Sequence, residues 1–112
     1  MGEYGWLTGP EFEEAVHRKV SGAAAKYGMR KFRADIVRRL MSEVRRRQAD
    51  ILTSEATRAP AARRSMADAL DSTEFLIRYA AEFAKRQGRK VLTWEDINAV
   101  LRDSTIDFWP FS

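Results

Sequence analysis

The chain contains no cysteine, which removes disulfides, thiolate zinc sites and cysteine nucleophiles together. A single histidine, His17, leaves little room for a serine–histidine triad or a multi-histidine metal site. No apolar run approaches the roughly 18 residues that a membrane helix needs, so no bilayer span is expected. The start, Met1-Gly2-Glu3-Tyr4, has no basic region followed by an apolar stretch, and no secretory signal is expected. No Gly-x-x-x-x-Gly-Lys-Ser/Thr phosphate loop occurs. The acid pairs Glu13-Glu14 and Glu95-Asp96 are adjacent, so on a helix they project differently and make no acid/base pair. The expectation is a protein without catalytic residues, cofactor, metal or small-molecule substrate.

What is present is 112 residues, 45% apolar and 32% charged, the balance of one globular domain with one modest core. The net charge of +4 is unevenly spread. Residues 1–17 hold four acids and no base, whereas 18–64 hold fourteen Lys or Arg against four acids. Residues 65–112 hold six bases and eight acids. A central stretch that positive attracts a polyanion, most commonly nucleic acid, by counterion release. Arginine outnumbers lysine fifteen to five, and the guanidinium fork suits bidentate phosphate contacts. The plainer alternative is a solvated helix face in an arginine-biased composition.

The periodicity predicts four helices. In the first, over 10–26, Thr8 is the expected N-cap, Glu11 completes a capping box and Pro10 fits the first turn. Phe12, Val16, Val20 and Ala23 form its apolar stripe, with His17 read as a surface or packed residue. A second helix is expected over Met29–Gln48. Phe32, Ile36, Leu40 and Val44 lie four apart on one face, and Arg38, Arg39 and Arg45 to Arg47 lie on the other. The same arrangement would suit a membrane-surface helix, but the downstream helices offer its apolar face a better partner. Residues 49–60 read as a connection. A long helix then runs from Pro60 to Gln87, roughly 42 Å at 1.5 Å per residue, with Gly88 as its cap. Met66, Leu70, Thr73, Ile77, Ala80 and Ala84 line one face of it. Val91 and Leu92 form a short extended piece, and Thr93 caps a last helix carrying Ile97, Val100 and Leu101, with Asp96 at its third position.

A long central helix, a glycine, a basic turn, an extended pair and a short capped helix resemble the histone fold. The likeness is strongest over Ala84-Lys85-Arg86-Gln87-Gly88-Arg89-Lys90-Val91-Leu92-Thr93-Trp94-Glu95-Asp96-Ile97. It implies an all-α histone fold with a long central helix, two flanking helices and an extra N-terminal helix. It also implies that Arg89 and Asp96 clamp the loop, and that Lys90 occupies the family's phosphate-contacting position. Val91 stands where the family usually has threonine, so one hydroxyl contact is absent. The implied organisation is an accessory helix at 1–28, a histone-fold domain at 29–103 and an aromatic tail at 104–112. Lysine-rich tails are missing, which points to the tail-poor histones of archaea and bacteria. An echo of Arg86 through Glu95 in Arg47 through Glu55 raises an alternative, two degenerate copies in tandem.

So broadly apolar a helix is expected to need a second chain, with Met66, Leu70, Ile77, Ala80 and Ala84 as the core of a homodimer, possibly a tetramer or higher. Pairing would set one chain's first loop beside the other's second loop, gathering Arg58, Arg63, Arg64, Arg89 and Lys90 on double-stranded DNA. The start of the long helix would add N–H groups suited to phosphate. Such contacts position a protein without reading bases. The expected function is therefore a histone-like protein that binds duplex DNA with little sequence preference and compacts, bends or bridges it. The alternative is a subunit-pairing module with little DNA affinity. The expected location is intracellular, in the nucleoid or cytoplasm of a prokaryote, since an Ala- and Arg-rich, lysine-poor composition hints at a GC-rich genome. Phe108, Trp109 and Phe111 are expected either to cap their own chain or to contact another.

Overall fold

The computed structural model describes residues 9–54 and 66–103, and the side chains of 9–46, 67 and 69–103. Among these residues the chain is mostly helical, with four helices and two very short strands. Their order is α1 (Pro10–Lys26), β1 (Lys31–Phe32), α2 (Asp35–Ser54), α3 (Met66–Arg86), β2 (Val91–Leu92) and α4 (Trp94–Leu101).

Helix α1 has the expected bounds, but its N-cap is Gly9 and no side chain caps it. Pro10 occupies the first turn, where its missing N–H costs nothing. The helix ends where Gly28 adopts φ +89°, a backbone that a residue with a Cβ rarely takes. Gly88 repeats this after α3 with φ +75°.

The second helix departs from expectation at both ends. It starts at Asp35, not Met29, because Lys31 and Phe32 are drawn into a parallel strand pair with Val91 and Leu92. It continues to Ser54, through residues that were expected to be a connection. Arg47 to Ser54 are therefore helical, and the echo of the Gly88 turn there does not mark a second loop.

A different repeat organises the molecule. Each half is a helix, a glycine turn, a two-residue strand and a helix, and the strands pair in register at a spacing of sixty residues, Lys31 with Val91 and Phe32 with Leu92. At that spacing Glu14, Arg18, Ala24 and Gly28 match Glu74, Arg78, Ala84 and Gly88 identically. Buried positions follow the same register: Val16 and Leu76, Val20 and Ala80, Val37 and Ile97, Leu40 and Val100.

One core joins the halves. Phe12, Val16, Val20, Ala23 and Ala24 of α1 meet Leu76, Ile77, Ala80, Ala81 and Ala84 of α3 and Ile36, Leu40 and Val44 of α2. Thr73 is buried and its hydroxyl donates to the Ala69 carbonyl at 2.8 Å, so it leaves no unmet polar group. Ile36, Val37, Leu40, Met41 and Val44 of α2 lie in this core. No helix among the described residues is long and apolar enough to cross a membrane.

Two expectations are corrected by this packing. Helix α1 is not an accessory, because its whole apolar stripe is part of the common core. Ile77, Ala80 and Ala84 are fully buried inside one chain, so no second chain is required to cover them. The sequence argument counted α1 as peripheral and so left α3 short of a partner. Leu70 packs half-buried against the same core, and the Met66 side chain lies outside the described residues.

Candidate nucleic-acid interface

The strand pair sets two turns side by side at one end of the molecule. The Arg30 amide donates to the Lys90 carbonyl at 2.8 Å, and the Arg33 amide to the Leu92 carbonyl at 3.0 Å. Lys85 extends across the first turn, with Nζ 3.7 Å from where a Cβ on Gly28 would sit. Residues 26–34 supply Lys26, Arg30, Lys31 and Arg33; residues 85–94 supply Lys85, Arg86, Arg89 and Lys90; neither segment contains an acid. All of these except Arg89 are exposed. Among the described residues, Arg30, Lys31, Arg33, Lys85, Arg86 and Lys90 make no ion pair, so their charge faces solvent uncompensated.

Arg89 is spent on structure. Its guanidinium grips the Asp96 carboxylate in a fork at 2.6 and 2.8 Å. Asp96 also accepts from the Thr93 amide at 2.9 Å and the Thr93 hydroxyl at 3.0 Å, which fixes the entry into α4. Burial by itself would push the Asp96 carboxyl up. The Arg89 fork and the two Thr93 donors outweigh it and hold the group below the usual carboxylate range. The fork holds the second turn rigidly against its helix, and so sets the position of Lys90 beside Arg30.

A second anchor ties the first turn to α3. Glu74 lies 3.5 Å from Lys19 and 3.4 Å from Lys26, and accepts from the Tyr27 hydroxyl at 3.2 Å. The Tyr27 ring lies under both Lys26, at 5.5 Å, and Arg78, at 5.9 Å. Burial works to raise the Glu74 carboxyl, but Lys26, Tyr27 and Lys19 keep it low, while Glu74 in turn raises Lys26. Lys26 therefore serves the fold more than the platform.

Of the residues singled out for DNA, Arg89 and Lys90 lie in this platform, and Arg58, Arg63 and Arg64 lie outside the described residues, as do Phe108, Trp109 and Phe111. Arg30, Lys31 and Arg33, expected inside the second helix, and Lys85 and Arg86, expected as part of the long helix, were not singled out from the sequence. The signal that would have found the first three is the sixty-residue echo of Gly28-Met29-Arg30-Lys31-Phe32 in Gly88-Arg89-Lys90-Val91-Leu92. The turn paired with Arg89 and Lys90 in this structure is that of residues 28–34, while the loop of Arg58, Arg63 and Arg64 expected to lie beside it lies outside the described residues.

Elsewhere, a cavity of about 550 Å³ opens between α1 and the start of α2, lined by Pro10, His17, Phe32, Val37 and Arg38 with Glu13 and Glu14 at its edge. His17 meets the Phe32 ring edge-on at 5.8 Å, and among the described residues no hydroxyl, thiol or amine lines the space around it. No group of three or more metal-ligating side chains occurs among the described residues. No family model, curated protein or solved structure matches the chain.

Proposed function

We propose that the chain is a histone-like protein that binds duplex DNA through phosphate contacts, using the two-turn platform, and acts without catalysis in the nucleoid or cytoplasm. The observation that carries this reading is the cluster of Arg30, Lys31, Arg33 and Lys90 on the paired turns, with Lys85 and Arg86 at the adjoining end of α3, none of the six in an ion pair among the described residues. Six unpaired cations on one rigid end create a local field far stronger than the net charge suggests, and condensed counterions leave the duplex when it docks there. The resemblance of the Gly88 turn to the histone loop supports the same partner. In this reading the two halves of one chain stand in for two chains of a histone dimer. Self-association is then a means of bridging or compacting DNA, not a condition of folding. Phosphate contacts position a protein without reading bases, so sequence preference is slight.

The test is binding to two unrelated duplexes over a salt series. Lys90→Ala is the clean probe, because Arg89 has a structural duty. It should weaken both duplexes equally and lower the salt slope by about one. A loss confined to one duplex would argue for base reading instead. The second reading, a pairing module, is favoured by Phe75 and Tyr79, which stay 51% and 43% exposed on α3. Under that reading the platform binds no duplex even at low salt.

A further inference from the structure

The exposed face of α3 carries an aromatic strip. Phe75, Tyr79 and Phe83 lie four apart on the helix, and Phe83 is half-buried where the other two are exposed. At the sixty-residue spacing the first half has Ala15, Lys19 and Ala23 in their place, with Lys19 turned to Glu74. Two halves with the same backbone and the same core register differ here, so the strip answers to something beyond core packing. Its lower part opens into a groove of about 360 Å³ between α3 and α4, lined by Tyr79, Phe83, Ala99 and Val100 with Glu82, Arg86 and Asp103 as its charged groups.

We infer that this groove and strip are the docking site of the chain's own residues 104–112. Asp103, the last described residue, itself lines the groove, so the following residues start at its rim. Phe108 lies five residues further, within about 17 Å of extended chain, and Phe75 to Phe83 spans about 12 Å of helix, so the aromatics reach the whole strip. Phe108, Trp109 and Phe111 place three rings in four residues against three rings at helical spacing. Offset and edge-on ring pairs add stabilisation beyond area alone. Pro110 restricts the segment before it docks, and tethering gives it an effective concentration in the millimolar range, so modest contacts suffice.

The experiment uses the full chain with Trp6→Phe and Trp94→Phe, leaving Trp109 as sole indole. Docking predicts emission shifted to the blue and shielded from iodide, unchanged on dilution, and released to a water-like spectrum by Tyr79→Ala with Phe83→Ala. Trp109→Ala in the unaltered background should lower the melting temperature with no change of mass. Because Tyr79 is surface-placed, circular dichroism should confirm a folded variant; should the double variant unfold, Tyr79→Ala alone serves. A water-like, fully quenched Trp109 would overturn the proposal. Shielding that appears only at concentrations where the mass doubles would overturn it too, and assign the groove to a second copy.

Discussion

The two halves hold their turns in opposite ways. Arg89 and Asp96 of the second half correspond, sixty positions back, to Met29 and Ile36 of the first. Where the second turn relies on a charged fork, the first buries two apolar side chains, Met29 at 5% and Ile36 at 0% exposure. Both solutions present the same glycine turn and the same strand. The fork is therefore one means of fixing a turn against the helix that follows it and a buried apolar pair is another, while the first turn's charged contacts, from Lys26 and Tyr27 to Glu74, tie it to α3. The difference also divides labour, since the apolar anchor leaves Arg30, Lys31 and Arg33 available to a partner while the second turn has committed Arg89.

The largest expected effect comes from a position where the halves do not correspond in burial. Ile77 is fully buried and its counterpart His17 is exposed. Ile77→Asp should cost several kcal/mol and unfold the chain, whereas His17→Asp should cost less than about 1 kcal/mol. Chemical denaturation of both variants checks this, and a folded, stable Ile77→Asp protein would break the single-chain core.

Next is the fork itself. Asp96→Ala leaves Arg89 without its carboxylate and the Thr93 amide without its acceptor. The cost should be about 3 kcal/mol, toward the low end for a buried pair because the Arg89 side chain retains 38% exposure and can turn to water. Transplanting the first half's solution sharpens the comparison. Arg89→Met with Asp96→Ile should recover most of that loss, since an apolar pair avoids the desolvation of two charges. A double variant as unstable as Asp96→Ala would show that the turns are not equivalent.

A smaller effect is the pH dependence of stability. The folded Asp96 carboxyl lies below its unfolded value of about 4, so its contribution is complete above that pH. It is lost as pH falls from about 4 through the lower folded value, when the native state must take up a proton. Urea midpoints measured across that range should fall more steeply for the unaltered protein than for Arg89→Met with Asp96→Ile.

Much of this was legible in the residues. The 3.6-residue stripe of Phe12, Val16 and Val20 marked α1, and Thr93 with Asp96 three positions on marked the start of α4. Arg89 and Asp96 could be paired by spacing, because a turn and the first turn of a helix are local structures. The start of α2 could not. Phe32 continues the apolar period of Ile36 and Leu40, so local pattern favours helix there. What overrides it is a strand partner sixty residues away, and no window of sequence contains that contact. The same long-range pairing brings Arg30 to Lys90, which is why Arg30, Lys31 and Arg33 were missed.

The account turns on the claim that both turns present their cations to one duplex. The most direct measurement is the log–log salt dependence of DNA affinity for the unaltered protein and for Lys31→Ala with Lys90→Ala, one lysine from each turn. The account predicts that the slope falls by about two, at roughly 0.9 per phosphate contact, with equal losses on unrelated sequences. An unchanged slope, or no binding by the unaltered protein at low salt, would contradict it.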